Sequence, residues 1–177
     1  MCSSDLEDVA PGDRATAERV HAFFGRIRGP FSMMLHSPVL AAETLDIVER
    51  LRDSTTVDHV PRALAILATV REHDCNYVWS AQAGYARRVG VREAAIDVIR
   101  AKGDTASLEP DEREIVEYAR ELARTKRVSP ERFDRLLARH GERWLVELTA
   151  AAHFYVFLSG VANAFDVPVP DDGDRLG

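Results

Sequence analysis

Apolar residues recur along this chain at spacings of three and four rather than two, so the pattern predicts helices nearly throughout. Val20, Phe23, Phe24 and Ile27 fall at i, i+3, i+4 and i+7 and predict a first helix running to Gly29-Pro30. Ser37 before Pro38 has the form of an N-cap and a first helical position, opening a second helix with Ala41, Leu45, Val48 and Leu51 or Arg52 in line. A third spans Pro61 to about Glu72, with Leu64, Ile66, Leu67 and Val70 inward. A fourth spans Asn76 to Val89 and closes on Gly90, and a fifth spans Arg92 to Ala101 before Gly103. Pro110 to Lys126 makes a sixth around Ile115, Ala119 and Leu122. Ser129-Pro130 opens a seventh with Phe133, Leu136, Leu137 and His140, stopped by Gly141.

The eighth, Glu142 to about Phe165, is the most apolar. Trp144, Leu145, Leu148, Ala151, Ala152, Tyr155, Leu158 and Ala162 form one stripe, and Phe154, Val156, Phe157 and Val161 fill much of the rest. A helix apolar nearly all round belongs at the centre of a core or in a subunit interface. No alternating stretch is long enough for a strand, and no internal repeat is evident. The expectation is an all-α, single-domain bundle of seven to eight helices over residues 15–167. A polar N-terminal tail, 1–14, and a Pro- and Asp-rich C-terminal tail, 168–177, are expected to be loose.

Composition agrees with one globular domain: 46% hydrophobic and 29% charged residues supply a core and exclude wholesale disorder. The balance of 23 basic to 29 acidic residues, net −6, lacks the footprint of a nucleic-acid binder and gives no reason for docking on an anionic membrane. The run from Leu148 to Leu158 is broken by Thr149 and His153 and falls short of the ~20 residues that cross a bilayer. No secretory pattern opens the chain, and Cys2 and Cys75 form neither a disulfide framework nor a zinc-site spacing. A soluble, cytoplasmic protein is therefore expected.

The informative stretch is Pro61 to Ile99, where a cysteine follows a short break at His73-Asp74 and precedes a helix. Helix N-termini favour negative charge, so Cys75 stands where a reactive thiolate could form. It could equally be a small buried apolar residue. Positions 75, 78 and 82 share a helix face and hold Cys75, Val78 and Gln82. Gln82 is a candidate hydrogen-bond partner for a ligand carboxylate or carbonyl, and Tyr77, Trp79 and Tyr155 are candidate pocket residues. His36, before the Ser37 cap, and His153, in the most apolar helix, are the remaining candidate acids or bases. His73, Arg87-Arg88 and Met33-Met34 read most simply as helix-end, solvated-face and gap-filling residues.

Three segments together resemble the carboxymuconolactone decarboxylase and alkylhydroperoxidase D-like family: GPFSMMLHSPVLAA, RALAILATVREHDCNYVWSAQ and HFYVFLSGVANAFDVPVP. The resemblance covers roughly residues 20–170. It implies an all-α fold, a pocket around the signature block and assembly as a homo-oligomer, whether dimer, trimer or hexamer. The alkylhydroperoxidase branch carries C-x-x-C-x-x-x-H and an upstream glutamate. On this chain the second cysteine falls on Val78, the histidine on Gln82 and the glutamate on Ala63, while Tyr77 and Trp79 of the block are kept. Valine cannot resolve a sulfenate, and glutamine cannot relay a proton.

Three functions follow as expectations. The first is action on a small lactone or aromatic-derived acid without metal or organic cofactor, with His36, His153 and Gln82 supplying the polar groups. The second is a thiol peroxidase using Cys75 alone, and the third a non-catalytic oligomer that binds a small hydrophobic ligand. The missing ionisable groups at 63, 78 and 82 favour the third over the second.

Overall fold

The computed structural model describes residues 14–53 and 55–177; Cys2 and nearly all of the expected N-terminal tail lie outside the described residues. Among those described, nine α-helices and one 3-10 turn, Thr105–Ser107, make an all-α bundle without strands. They are α1 (Arg14–Phe24), α2 (Pro30–Met34), α3 (Pro38–Asp53), α4 (His59–Glu72), α5 (Asn76–Arg88), α6 (Glu93–Arg100), α7 (Pro110–Thr125), α8 (Pro130–His140) and α9 (Glu142–Ala164).

The pattern misplaced the end of the first helix. α1 stops at Phe24, and Gly25 turns its N–H onto the His21 carbonyl at 2.8 Å. Ile27 is buried in the connection rather than on a helical stripe, and a separate short helix, α2, starts at Pro30. Gly29 makes the hinge between them, at φ 66 and ψ −148. A Cβ built there would lie 2.2 Å from Cε1 of Tyr77, so the bare backbone is what lets the α5 tyrosine pack against the entry to α2.

α4 is the central helix. Nine consecutive residues, Arg62 to Val70, are all buried, and α5, α6, α7 and α9 pack around it. Ala63, Ala65 and Ala68 bring those neighbours close, while Leu64, Ile66, Leu67 and Val70 fill the space between them. Each such large side chain contributes about 1.5–3 kcal/mol of burial free energy. α9 is long and apolar enough to cross a membrane by length and composition alone. Here its Leu145, Leu148, Ala151, Ala152, Leu158 and Ala162 pack into the core, and Val146 and Phe157 face outward. α8 lies at the periphery: Leu136 is its one buried residue, and Phe133, expected inward, is exposed. Ser129 does not cap α8 with its hydroxyl. Both its N–H and its hydroxyl donate to the Glu121 carboxylate of α7 instead.

Buried arginines fix the corners. Arg120 of α7 donates to the carbonyls of Gly103 at 2.8 Å and Val98 at 3.0 Å, tying α7 to the turn after α6, where the Gly103 N–H also closes on the Val98 carbonyl at 2.9 Å. The 168–177 segment, expected to be loose from its Pro and Asp content, makes specific contacts. The Asp174 carboxylate accepts from Arg87 and Arg100, and the Leu176 N–H donates to Asn76 Oδ1 at 3.0 Å.

Candidate functional site

The face of α5 that turns away from α4 builds one wall of a cleft. Tyr77, Ser80, Ala81, Gly84, Arg87 and Arg88 recur there at helical spacing. Opposite stand Phe24 from the end of α1, Arg26 and Arg28 from the connection, Phe31 of α2 and Val48 of α3. Tyr155 and Leu158 of α9 and the C-terminal residues Pro170 to Asp174 complete an outer chamber of about 520 Å³. An inner chamber of about 330 Å³ continues past Gln82 and Tyr155 to Arg52, Arg62, Ile66, Tyr85 and Phe154. Phe24, Val48, Ala81, Gln82, Arg88 and Tyr155 line both chambers.

The sequence candidates divide around this cleft. Gln82 and Tyr155 sit where the chambers meet, and Tyr77 and Val78 line the outer one. Trp79 is fully buried beneath the wall, where its indole N–H reaches Asp174 at 3.4 Å. Ala63 is a core residue of α4. His36 is exposed in the turn before α3, and neither it nor His153 lines either chamber. His153 lies two positions from Tyr155, on the opposite side of α9. Burial, together with the nearby charges of His73 and Lys126, holds its imidazole below the ordinary histidine range and therefore neutral.

Cys75 is the N-cap of α5, as its place after the break suggested, but its exposure is 0% and it lines neither chamber. Burial pushes the thiol above the ordinary cysteine range. That effect outweighs the N–H groups of Val78 and Tyr77 and the Ser159 hydroxyl, all of which favour the thiolate. Desolvation thus cancels the activation that a helix N-terminus offers an exposed thiol.

Tyr155 and Gln82 form the polar waist. The Gln82 amide lies close enough to the Tyr155 phenol to favour its ionised form. Burial, and then the neighbouring Tyr85, push the Tyr155 phenol up to about 12, against the opposing Arg62 and Arg52 charges. At neutral pH it is a hydrogen-bond donor and not a base. Below it lies Arg62, 3% exposed. Its guanidinium donates to the Leu51 carbonyl at 2.7 Å, the Thr55 hydroxyl at 2.9 Å, His59 Nδ1 at 2.7 Å and the Tyr85 hydroxyl at 3.1 Å. None of these four partners is a carboxylate; the Asp53 carboxylate, held below its ordinary range chiefly by its hydrogen bond to Arg52, also feels the Arg62 charge without forming an ion pair with it. Arg26, Arg28 and Arg88 likewise have no carboxylate ion pair among the described residues, and Arg88 stands over the Tyr85 ring at 5.9 Å.

The arginines are what sequence reasoning missed. Arg87 and Arg88 read as a solvated helix face, yet they lie ten and eleven residues after Tyr77, three turns along the same side of α5. That spacing was the available signal. Arg26 and Arg28 fall in a connection that the pattern assigned to helix, and nothing in the pattern pointed to them. The assembled site offers aromatic and aliphatic walls, amide and phenol donors, and guanidinium groups suited to a carboxylate. Among the described residues no group of histidine, cysteine or carboxylate side chains is placed to hold a metal ion. Comparison with family models and with curated proteins finds no match for this chain.

Proposed function

We propose that this protein binds a small organic acid with an apolar or aromatic body in the cleft between α1–α3, α5 and α9. The observation that carries the reading is that Arg26, Arg28, Arg88 and buried Arg62 border the cleft without a carboxylate ion pair among the described residues, and that arginines outnumber the two carboxylates, Asp172 and Asp174, in its walls. In a chain of net charge −6 this is a local positive field, and the ligand's own carboxylate would complete it. Phe24, Phe31, Val48 and Leu158 would hold the body of the ligand. Gln82, Tyr77 and Tyr155 would orient it. The resemblance to carboxymuconolactone decarboxylase-like proteins supports the same ligand class, a lactone or aromatic-derived acid.

Binding is favoured over thiol chemistry because Cys75 is sealed from the cleft and its proton is held more tightly than usual. The test is a thermal-shift panel of aromatic and alicyclic carboxylates against their neutral analogues. A cleft ligand at ~100 times its Kd stabilises by ~2.7 kcal/mol. At ~2–4 °C per kcal/mol for a chain of this size, the melting temperature rises by ~5–11 °C. Acids that shift Tm no more than neutral analogues would remove the proposal.

Self-association belongs to the same reading. Val39, Leu40 and Ile47 on α3 and Val146 and Phe157 on α9 are exposed, and apolar surface of that kind supports contact with a second copy. Sedimentation at micromolar concentration should give a species above 20 kDa. A stable monomer near the 19.7 kDa chain mass would contradict it.

A further inference from the structure

We infer that residues 168–177 are a lid on the cleft, latched by Asp174, whose carboxylate fills an anion cradle made by Arg87, Arg100 and Trp79. The strap leaves the bundle just after α9. Asp166 takes a left-handed conformation at φ 47, and the Val167 N–H closes on the Ala162 carbonyl at 3.0 Å. From there the chain turns back across α5, and Pro170, Asp172, Gly173 and Asp174 become one wall of the outer chamber.

The strap is held at few points. Asp174 accepts from Arg100 Nη2 at 2.8 and 3.0 Å, from Arg87 Nη2 at 2.8 Å and from the Trp79 indole at 3.4 Å. The Arg100 guanidinium lies over the Trp79 ring, 5.6 Å from its centroid. Two residues on, the Leu176 side chain is buried and its N–H is bound to Asn76. Between hinge and latch, Pro168 to Gly173 are exposed or only partly buried. A segment with one carboxylate anchor, one buried side chain and few backbone bonds sits at the low-stability end of a fold and opens without unfolding the rest. Gly173 sets how closely the lid seats. A Cβ there would fall 2.6 Å from Ser80 Oγ on α5 and, within the strap itself, 2.7 Å from Val169 Cγ1 and 2.9 Å from the Pro170 carbonyl oxygen, so a side chain forces the turn that seats the strap on α5 to shift.

Arg87 makes the latch relevant to the site, since it lines the outer chamber and holds Asp174 at once. Arg87 stays held by Glu93 through Nε at 2.8 Å and Nη2 at 2.7 Å, and Arg100 by Asp97 through Nη1 at 2.6 Å, so with the strap raised the N–H groups that served Asp174 and the Trp79 indole N–H become a carboxylate cradle beside the cleft. Asp174 is therefore an internal stand-in for an anionic group. The relevance of the lid rests on the cleft taking a ligand, but its opening is measured on the free protein, so the two ideas fail separately.

The experiment compares wild-type protein with Asp174→Asn and Gly173→Ala, two variants that disturb the latch and the seat independently. Amide hydrogen exchange is followed at residues 173–177 and in α4. Acrylamide quenching of Trp79 is followed in a Trp144→Phe background. Both variants should raise exchange at Leu176 at least tenfold and increase Trp79 quenching several-fold, with α4 protection unchanged. Unchanged exchange and quenching in both variants would overturn the latch. Loss of α4 protection together with the strap would overturn the lid, because the segment would then be part of the cooperative core.

Discussion

Gly29→Ala tests the packing that shapes the mouth of the cleft. At φ 66 and ψ −148, residue 29 occupies a region that only glycine populates freely, and a side chain there costs ~1–3 kcal/mol of backbone strain. The new methyl would also stand 2.2, 2.5 and 2.6 Å from Cε1, Cζ and the hydroxyl oxygen of Tyr77. Comfortable contact between carbon atoms is ~3.5–4.0 Å, so the ring must retreat by more than ~1 Å. Tyr77 borders the outer chamber, which gives it somewhere to go, at an overpacking cost of ~1–3 kcal/mol. The sum is ~2–6 kcal/mol, measured by urea unfolding with an unchanged m-value. A double-mutant cycle separates the parts: in a Tyr77→Ala background only the backbone cost should remain, so Gly29→Ala should cost ~1–3 kcal/mol less there. A Gly29→Ala cost below ~0.5 kcal/mol, or one that is the same in both backgrounds, would refute the argument.

Cys75 should react with a disulfide reagent only as the protein unfolds, so its labelling rate at neutral pH should follow denaturant concentration. Rapid labelling of the folded protein, or peroxide turnover abolished by Cys75→Ser, would contradict the sealed thiol. Tyr155 should resist ionisation until about pH 12 in a phenolate absorbance titration, and because burial raises Tyr118 as well, at least one phenol fewer should appear near pH 10 than in denatured protein, the deficit shrinking by one in Tyr155→Phe. Because its folded pKa is the higher, the stability it contributes is complete below pH 10 and is lost between there and pH 12. On the acid side the signs reverse. The Arg92 hydrogen bond lowers Glu112, and for Asp174 the cost of burial is outweighed by Arg87, Arg100 and Trp79. Their stabilisation is present above ~pH 4 and fades as pH falls through the depressed values, which acid unfolding of Glu112→Gln and Asp174→Asn should show as a weaker pH dependence than wild type.

Helix positions were legible because amphipathic spacing and Pro or Gly punctuation agree locally: Ser37-Pro38, Gly90, Gly103 and Gly141 all mark real boundaries. The break at Gly25–Gly29 was hidden, since Ile27 continues the apolar stripe while facing the core from a loop. The central role of α4 was also hidden. Its alanines weigh little in a hydrophobic pattern, and closeness to four neighbouring helices is a property of the packed bundle. Gln82, Tyr77 and Tyr155 were found because a helix face and an aromatic residue on α9 pointed to them. The guanidinium groups were missed because an arginine on a helix surface has the same sequence signature whether it faces water or a cleft. His36 and His153 show the converse: residue type suggested chemistry, and orientation puts both away from the chambers.

A cleft that takes a carboxylate on Arg26, Arg28 and Arg88, which have no carboxylate ion pair among the described residues, should prefer an acid to its neutral analogue. Calorimetric titration with benzoate and with benzyl alcohol, which keeps the ring and removes the charge, tests it most directly on wild-type protein and on Arg28→Ala/Arg88→Ala. Both arginines are exposed, so the double variant should keep the wild-type melting temperature. Benzoate should bind the wild-type protein saturably and at least tenfold more tightly than benzyl alcohol, and the double variant should lose that preference. Equal affinity for the two compounds, or full retention of benzoate binding by the double variant, would contradict the account.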